Sequence, residues 1–146
     1  MAAASDKGGT NCMEPRSILV VDDDAPLRNF VTLALEKKGY RVASAVDGRR
    51  AGEAMKRAQF DVVITDLLMP DCDGLELITQ VRRGYPAMRI IAMSGGGRIA
   101  REQYLRLAKG MGAHVLLAKP FMPVELFAAV DSVLAGMAPQ DGPGPA

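Results

Sequence analysis

The chain carries five short apolar runs rich in β-branched residues: Ile18 to Val21, Val42 to Ser44, Val62 to Ile64, Ile90 to Met93 and Val115 to Leu117. Each is too short for a helix and has the length and composition of a strand. Between and after them, apolar residues recur at helical spacing. The five series are Leu27, Phe30, Val31 and Ala34; Ala51, Ala54, Met55 and Ala58; Leu75, Ile78 and Val81; Leu105, Ala108 and Met111; and Val124, Phe127, Val130 and Leu134. Each gives a helix one apolar stripe. All the runs but the second are nearly continuous in apolar character, the pattern of strands buried on both faces of a parallel sheet. Strand and helix alternate through five units, so right-handed crossovers place helices on both sides of one sheet, a three-layer α/β/α sandwich. Gly39 follows the first helix as a left-handed terminator would, Asp47 and Asp73 stand at N-cap positions, and Pro123 suits a first helical turn.

With 146 residues the chain has room for one core. Residues 1–16 show no periodicity and read as a mobile tail, with Met13 a candidate natural start. Residues 17–135 form the domain, and residues 136–146, in which Gly and Pro supply six of eleven positions, close it without a second domain. Eighteen basic residues against seventeen acidic ones leave a formal charge of +1, which gives no general drive toward nucleic acid or an anionic membrane. The longest purely apolar run, Leu126 to Val130, has five residues, against the ~20 that a membrane span needs. Cys12, Cys72 and the single histidine, His114, make no zinc-binding spacing, and both thiols read as unpaired in a reducing compartment.

In a doubly wound sheet, ligands meet the carboxyl ends of the strands. The first run ends in Asp22, Asp23 and Asp24, the third in Asp66, the fourth in Ser94 and the fifth in Lys119. These positions lie whole βα periods apart, so all fall on one edge. Carboxylates brought together repel one another unless a cation intervenes. Mg²⁺ suits such a set, because it takes one or two carboxylates, a carbonyl, waters and a phosphoryl oxygen. A carboxylate nucleophile, a hard divalent ion, an ammonium and a hydroxyl together fit phosphoryl transfer. Ser94 is followed by Gly95, Gly96 and Gly97, whose backbone N–H groups can approach an anion closely. Asp24, ahead of Ala25 and Pro26, reads as an N-cap, Asp61 as a turn residue, Asp71 and Asp73 as loop-shaping, and His114 as structural.

The blocks LVVDDD, DVVITDLLMPDCDGLEL, IIAMSGGG and LLAKPF, in that order between Ser17 and about Ala135, resemble the receiver domain of two-component response regulators. The resemblance implies a flavodoxin-like sheet of order 2-1-3-4-5 and a phosphoacceptor at Asp66, loaded by a histidine kinase or a histidine phosphotransfer protein. It implies that Asp23, Asp66 and the backbone carbonyl of Leu68 hold Mg²⁺ (or Mn²⁺), with Asp22 assisting through water. Ser94, Gly95 and Lys119 would bind the phosphoryl oxygens, and the Lys119–Pro120 peptide would be cis. Two departures stand out, at the switch position and in the glycine triplet after Ser94, which leaves the loop into the fourth helical segment unusually free. The switch position, often aromatic in the family, is Leu116. Two positions that can orient a hydrolytic water, two residues after the phosphoacceptor and two after the hydroxyl residue, are Leu68 and Gly96. The fourth helical segment carries Arg98, Arg101, Arg106 and Lys109 against Glu102.

The expectation is a cytoplasmic stand-alone receiver, a switch and not an enzyme beyond gaining and losing its own phosphoryl group. Its output would be a protein contact through the fourth helix, fifth strand and fifth helix, with no direct nucleic acid and no membrane. One alternative is a receiver cut from a longer DNA-binding regulator. Another is a haloacid-dehalogenase-like phosphatase using Asp22 to Asp24, Ser94 and Lys119. That enzyme would need an acidic pair after Lys119, where only the isolated Glu125 and Asp131 stand, and it would leave Asp66 without a role.

Overall fold

In the computed structural model, the residues described are 15–67, 74–94, 106, 110 and 112–135. In chain order they form β1 (Ser17–Val21), α1 (Ala25–Lys37), β2 (Arg41–Ala45), α2 (Gly48–Arg57), β3 (Val62–Asp66), α3 (Gly74–Gly84), β4 (Arg89–Ser94), β5 (Val115–Ala118) and α4 (Pro123–Ala135). Each strand extends the expected apolar run by one or two residues. The helical series Leu105, Ala108 and Met111 and the N-cap expected at Asp73 lie outside the described residues, as do the residues of both tails up to 14 and from 136.

All strand pairs are parallel, in the order β2-β1-β3-β4-β5. This is the expected 2-1-3-4-5 arrangement. Successive side chains of a strand point to opposite faces, which divides the core in two. Leu19, Val21, Val63, Ile90 and Ala92 face α2 and α3, meeting Ala51, Met55, Leu77, Ile78 and Val81. Ile18, Val20, Val62, Ile64, Ile91 and Met93 face α1 and α4, meeting Val31, Leu35, Leu126, Val130 and Val133. β3 and β4 are thus enclosed on both sides.

Burial on both sides does not extend to the fifth strand. β5 is an edge strand in which only Leu117 is buried, while Val115 and Leu116 are half-buried and Ala118 is exposed. Apolar continuity misleads here because, among the described residues, β5 has a neighbour on one side only, β4. The punctuation signals are realised where described. Gly39 has φ +99° after α1, and the Arg50 N–H donates to Asp47 Oδ1 at 2.8 Å. Gly112 (φ +106°) leads the chain into β5 in a conformation that favours glycine, and a Cβ there would lie 2.7 Å from the Arg82 side chain, which would have to move aside. No described helix is long and apolar enough to cross a membrane.

Candidate functional site

The chain leaves β1 for one side of the sheet and returns to form β3 on the other, so the carboxyl ends of β1 and β3 diverge into a crevice. Asp22 and Asp23 follow β1 directly, and Asp66 is the last residue of β3. One carboxylate oxygen from each of the three lies within 4.8 Å of the others. Asp22 is fully buried, Asp66 is 6% exposed and Asp23 opens to solvent.

Lys119, immediately after β5, reaches into this group. Its Nζ donates to Asp22 Oδ2 and to Asp66 Oδ2, each at 3.1 Å. Burial pushes the Lys119 ammonium down, but the hydrogen bonds and charges of Asp22 and Asp66 outweigh it and hold its pKa above the ordinary lysine value. The lysine backbone is fixed as well, its N–H donating to the Ser94 carbonyl at 2.7 Å. The Lys119–Pro120 peptide is cis, as the resemblance implies. Ser94, the last residue of β4, is 4% exposed at the same edge.

The loop between β1 and α1 is tied by its own polar groups. The Asp24 N–H donates to Asp22 Oδ1 at 2.9 Å, and Asp24 accepts from the Leu27 N–H at 3.4 Å as the N-cap of α1. Arg28 Nη1 donates to the Asp22 carbonyl at 2.7 Å. Arg28 was not among the candidate residues read from the sequence. A signal was present, because Arg28 lies three and seven residues before Val31 and Leu35 on the buried stripe of α1, where a charge needs a partner.

The structure therefore gathers Asp22, Asp23, Asp66, Ser94 and Lys119 at one edge. Leu68 and Gly95 lie outside the described residues. Leu116, half-buried on β5, packs against the α2/α3 side of the core. Asp61 accepts from the Ser17 N–H at 2.8 Å and pairs with Arg16 at 3.6 Å, at the opposite end of the sheet. His114 is structural, its Nδ1 accepting the Ile90 N–H at 3.0 Å.

Three carboxylates against one ammonium leave excess negative charge in a partly dry cleft. The donor set is all oxygen, so it fits a hard divalent ion such as Mg²⁺.

Residues 18–131 match the response regulator receiver domain family. The response regulator MprA of Mycolicibacterium vanbaalenii is 36% identical over 132 residues, covering 89% of this chain and 55% of that protein. The chain thus spans about half the length of that relative. Among solved structures, chemotaxis protein CheY4 of Vibrio cholerae superposes with a TM-score of 0.75 at 34% identity, covering 82% of this chain and 99% of that one. TrrA of Thermotoga maritima, solved with Mg²⁺ and BeF, gives 0.71 at 28% identity over 82% of this chain and 99% of its own.

Proposed function

The chain belongs to the response regulator receiver family of two-component signalling, and on that premise we propose that it is an Mg²⁺-dependent switch phosphorylated on Asp66. Membership in a family of signalling phosphoacceptors sets aside the phosphatase alternative. The observation that carries the proposal is the position of Asp66, buried at the end of a central strand, beside Asp22 and Asp23 and hydrogen-bonded to Lys119.

In the transfer, an oxygen of the Asp66 carboxylate forms the new O–P bond as the P–N bond of a donor phosphohistidine breaks, and the imidazole nitrogen keeps the electron pair. The donor is a histidine kinase or a histidine phosphotransfer protein. Phosphoryl transfer needs positioning and neutralisation of charge on the phosphoryl oxygens. A divalent ion would be held by Asp23 and Asp66 and, as the resemblance implies, by the Leu68 carbonyl, with Asp22 assisting through water, and would supply part of that neutralisation; the Mg²⁺ in the TrrA structure supports this reading. Lys119 supplies the rest, turning its ammonium from the carboxylates toward the incoming oxygens. The Ser94 hydroxyl and, as the resemblance implies, the Gly95 N–H would complete the cradle.

The output is a protein contact through the segment before β5, β5 itself and α4, in the cytoplasm and without direct contact to nucleic acid. The near-complete coverage of CheY4 supports a stand-alone receiver. The greater length of MprA favours a second reading, the receiver part of a longer regulator. An immunoblot of the source cells separates them: a band near 15.6 kDa supports the first, and a band only at higher mass the second.

The switch itself is tested with purified protein, Mg²⁺ and labelled acetyl phosphate. Label removable by hydroxylamine, dependent on Mg²⁺ and lost in Asp66→Ala, is expected; label retained by Asp66→Ala would overturn the assignment.

A further inference from the structure

We propose that Arg28 is a positioning residue that sets the acidic loop for the divalent cation. This rests on the reading of Asp22 and Asp23 as the cation's carboxylates. The carbonyl of Asp22 lies in the same rigid peptide plane as the N–H and Cα of Asp23, so a donor that fixes this oxygen also fixes the plane and the Cα from which the Asp23 side chain departs. Arg28 Nη1 holds that oxygen at 2.7 Å. Its base is in the first turn of α1, anchored by the fully buried Val31 and Leu35 on the same stripe. The other ties of the loop act elsewhere. Asp22 Oδ1 takes the Asp24 N–H, Asp22 Oδ2 takes Lys119, and Asp24 caps Leu27. Among these bonds, the one from Arg28 is the only one that grips the peptide leading into Asp23, the exposed carboxylate of the three.

Two effects of Arg28 on a bound cation have opposite signs. As a positive charge near the cluster it repels the ion, so its removal would tighten binding. As the clamp on the Asp22–Asp23 peptide it orients ligands, and its removal would weaken binding. Groups behind the ligands of a metal commonly contribute ten- to a hundredfold in affinity. The geometry favours the second effect, because the guanidinium hydrogen-bonds the backbone of the loop and not a carboxylate.

The experiment is a Mn²⁺ titration followed by the electron paramagnetic resonance of the free ion, on wild type, Arg28→Met and Arg28→Lys, with helical content checked by circular dichroism. Arg28→Met is expected to bind Mn²⁺ about tenfold more weakly, and Arg28→Lys, which keeps a donor, to recover most of the loss. In phosphorylation by acetyl phosphate, Arg28→Met should need more Mn²⁺ for half-maximal rate but reach the wild-type rate at saturation. Equal or tighter binding by Arg28→Met, beside a wild type that binds, overturns the role of Arg28. Absence of saturable binding by the wild type overturns instead the reading of the site.

Discussion

Asp22 and Asp23 are neighbours with different duties. Asp22 is fully buried with Oδ1 on a backbone N–H and Oδ2 on Lys119, whereas Asp23 faces solvent with its charge turned toward the same cleft. A cluster built for a cation is strained without one, so neutralising its most exposed member relieves repulsion. Asp23→Asn should therefore raise the metal-free melting temperature by about 2 to 4 °C, the shift that ~1 kcal/mol produces in a domain of this size. The same variant should lose the stabilisation that Mg²⁺ gives the wild type. A lower melting temperature without metal would show that Asp23 is held by structure and not by function. A second residue-scale expectation concerns persistence. Water attacking the aspartyl phosphate must be oriented, and neither Leu68 nor Gly96 has a side chain that can hydrogen-bond to it. Leu68→Asn combined with Gly96→Glu should speed loss of the phosphoryl group about tenfold, the effect of roughly 1.4 kcal/mol. Decay of the purified phosphoprotein in Mg²⁺ measures it, and equal rates would refute the argument.

Among the elements, β5 is the least enclosed strand of the β1-β3-β4-β5 series, and it carries Lys119 at its end. Its start is pinned by His114, whose N–H donates to the Ile90 carbonyl at 2.8 Å while its Nδ1 accepts the Ile90 N–H. A protonated imidazole cannot accept that bond. Burial, then the charges of Arg89 on β4 and Arg82 on α3, push the His114 pKa below its usual 6.5. With the folded value depressed, the unfolded chain binds more protons at acid pH. The stability contributed by neutral His114 is thus fully present above pH 6.5 and is lost as pH falls through the folded value. His114→Asn keeps an acceptor oxygen and does not titrate. Urea unfolding from pH 8 to pH 5 should show the wild type losing stability relative to this variant below about pH 6.5; parallel profiles would contradict it. The sequence makes the strand and helix order legible because buried parallel strands need continuous apolar runs, as Val62 to Ile64 and Ile90 to Met93 show. The edge position of β5 is not legible that way, since Val115 to Leu117 is equally apolar yet only Leu117 is buried. Residues bearing carboxylates and an ammonium at strand ends reveal themselves by type and spacing. The place of Arg28 on the buried stripe of α1 signals that its charge needs a partner, but that the partner is a backbone carbonyl is shown only by the three-dimensional contact.

At the scale of the molecule, a rigid centre and a looser edge are joined at the site. β3 and β4 are buried on both faces, and Asp66 and Ser94 end them. Lys119 bridges from this centre to β5 and on to α4, whose first turn exposes Val124 beside the exposed Met122. Drawing the ammonium from Asp22 and Asp66 onto a phosphoryl group would shift the end of β5 and with it this surface. Hydrogen exchange should therefore change on phosphorylation at Val115–Ala118 and the start of α4, and stay constant in β3; uniform change or none would refute the route. The switch is defined by the atom that receives the phosphoryl group. The most direct measurement is mass spectrometry of protein treated with Mg²⁺ and acetyl phosphate, trapped by borohydride reduction of the acyl phosphate, and digested. A single modified residue, Asp66, is expected, with no modification in protein treated without Mg²⁺; modification at Asp22 or Asp23 with Asp66 intact would contradict the assignment.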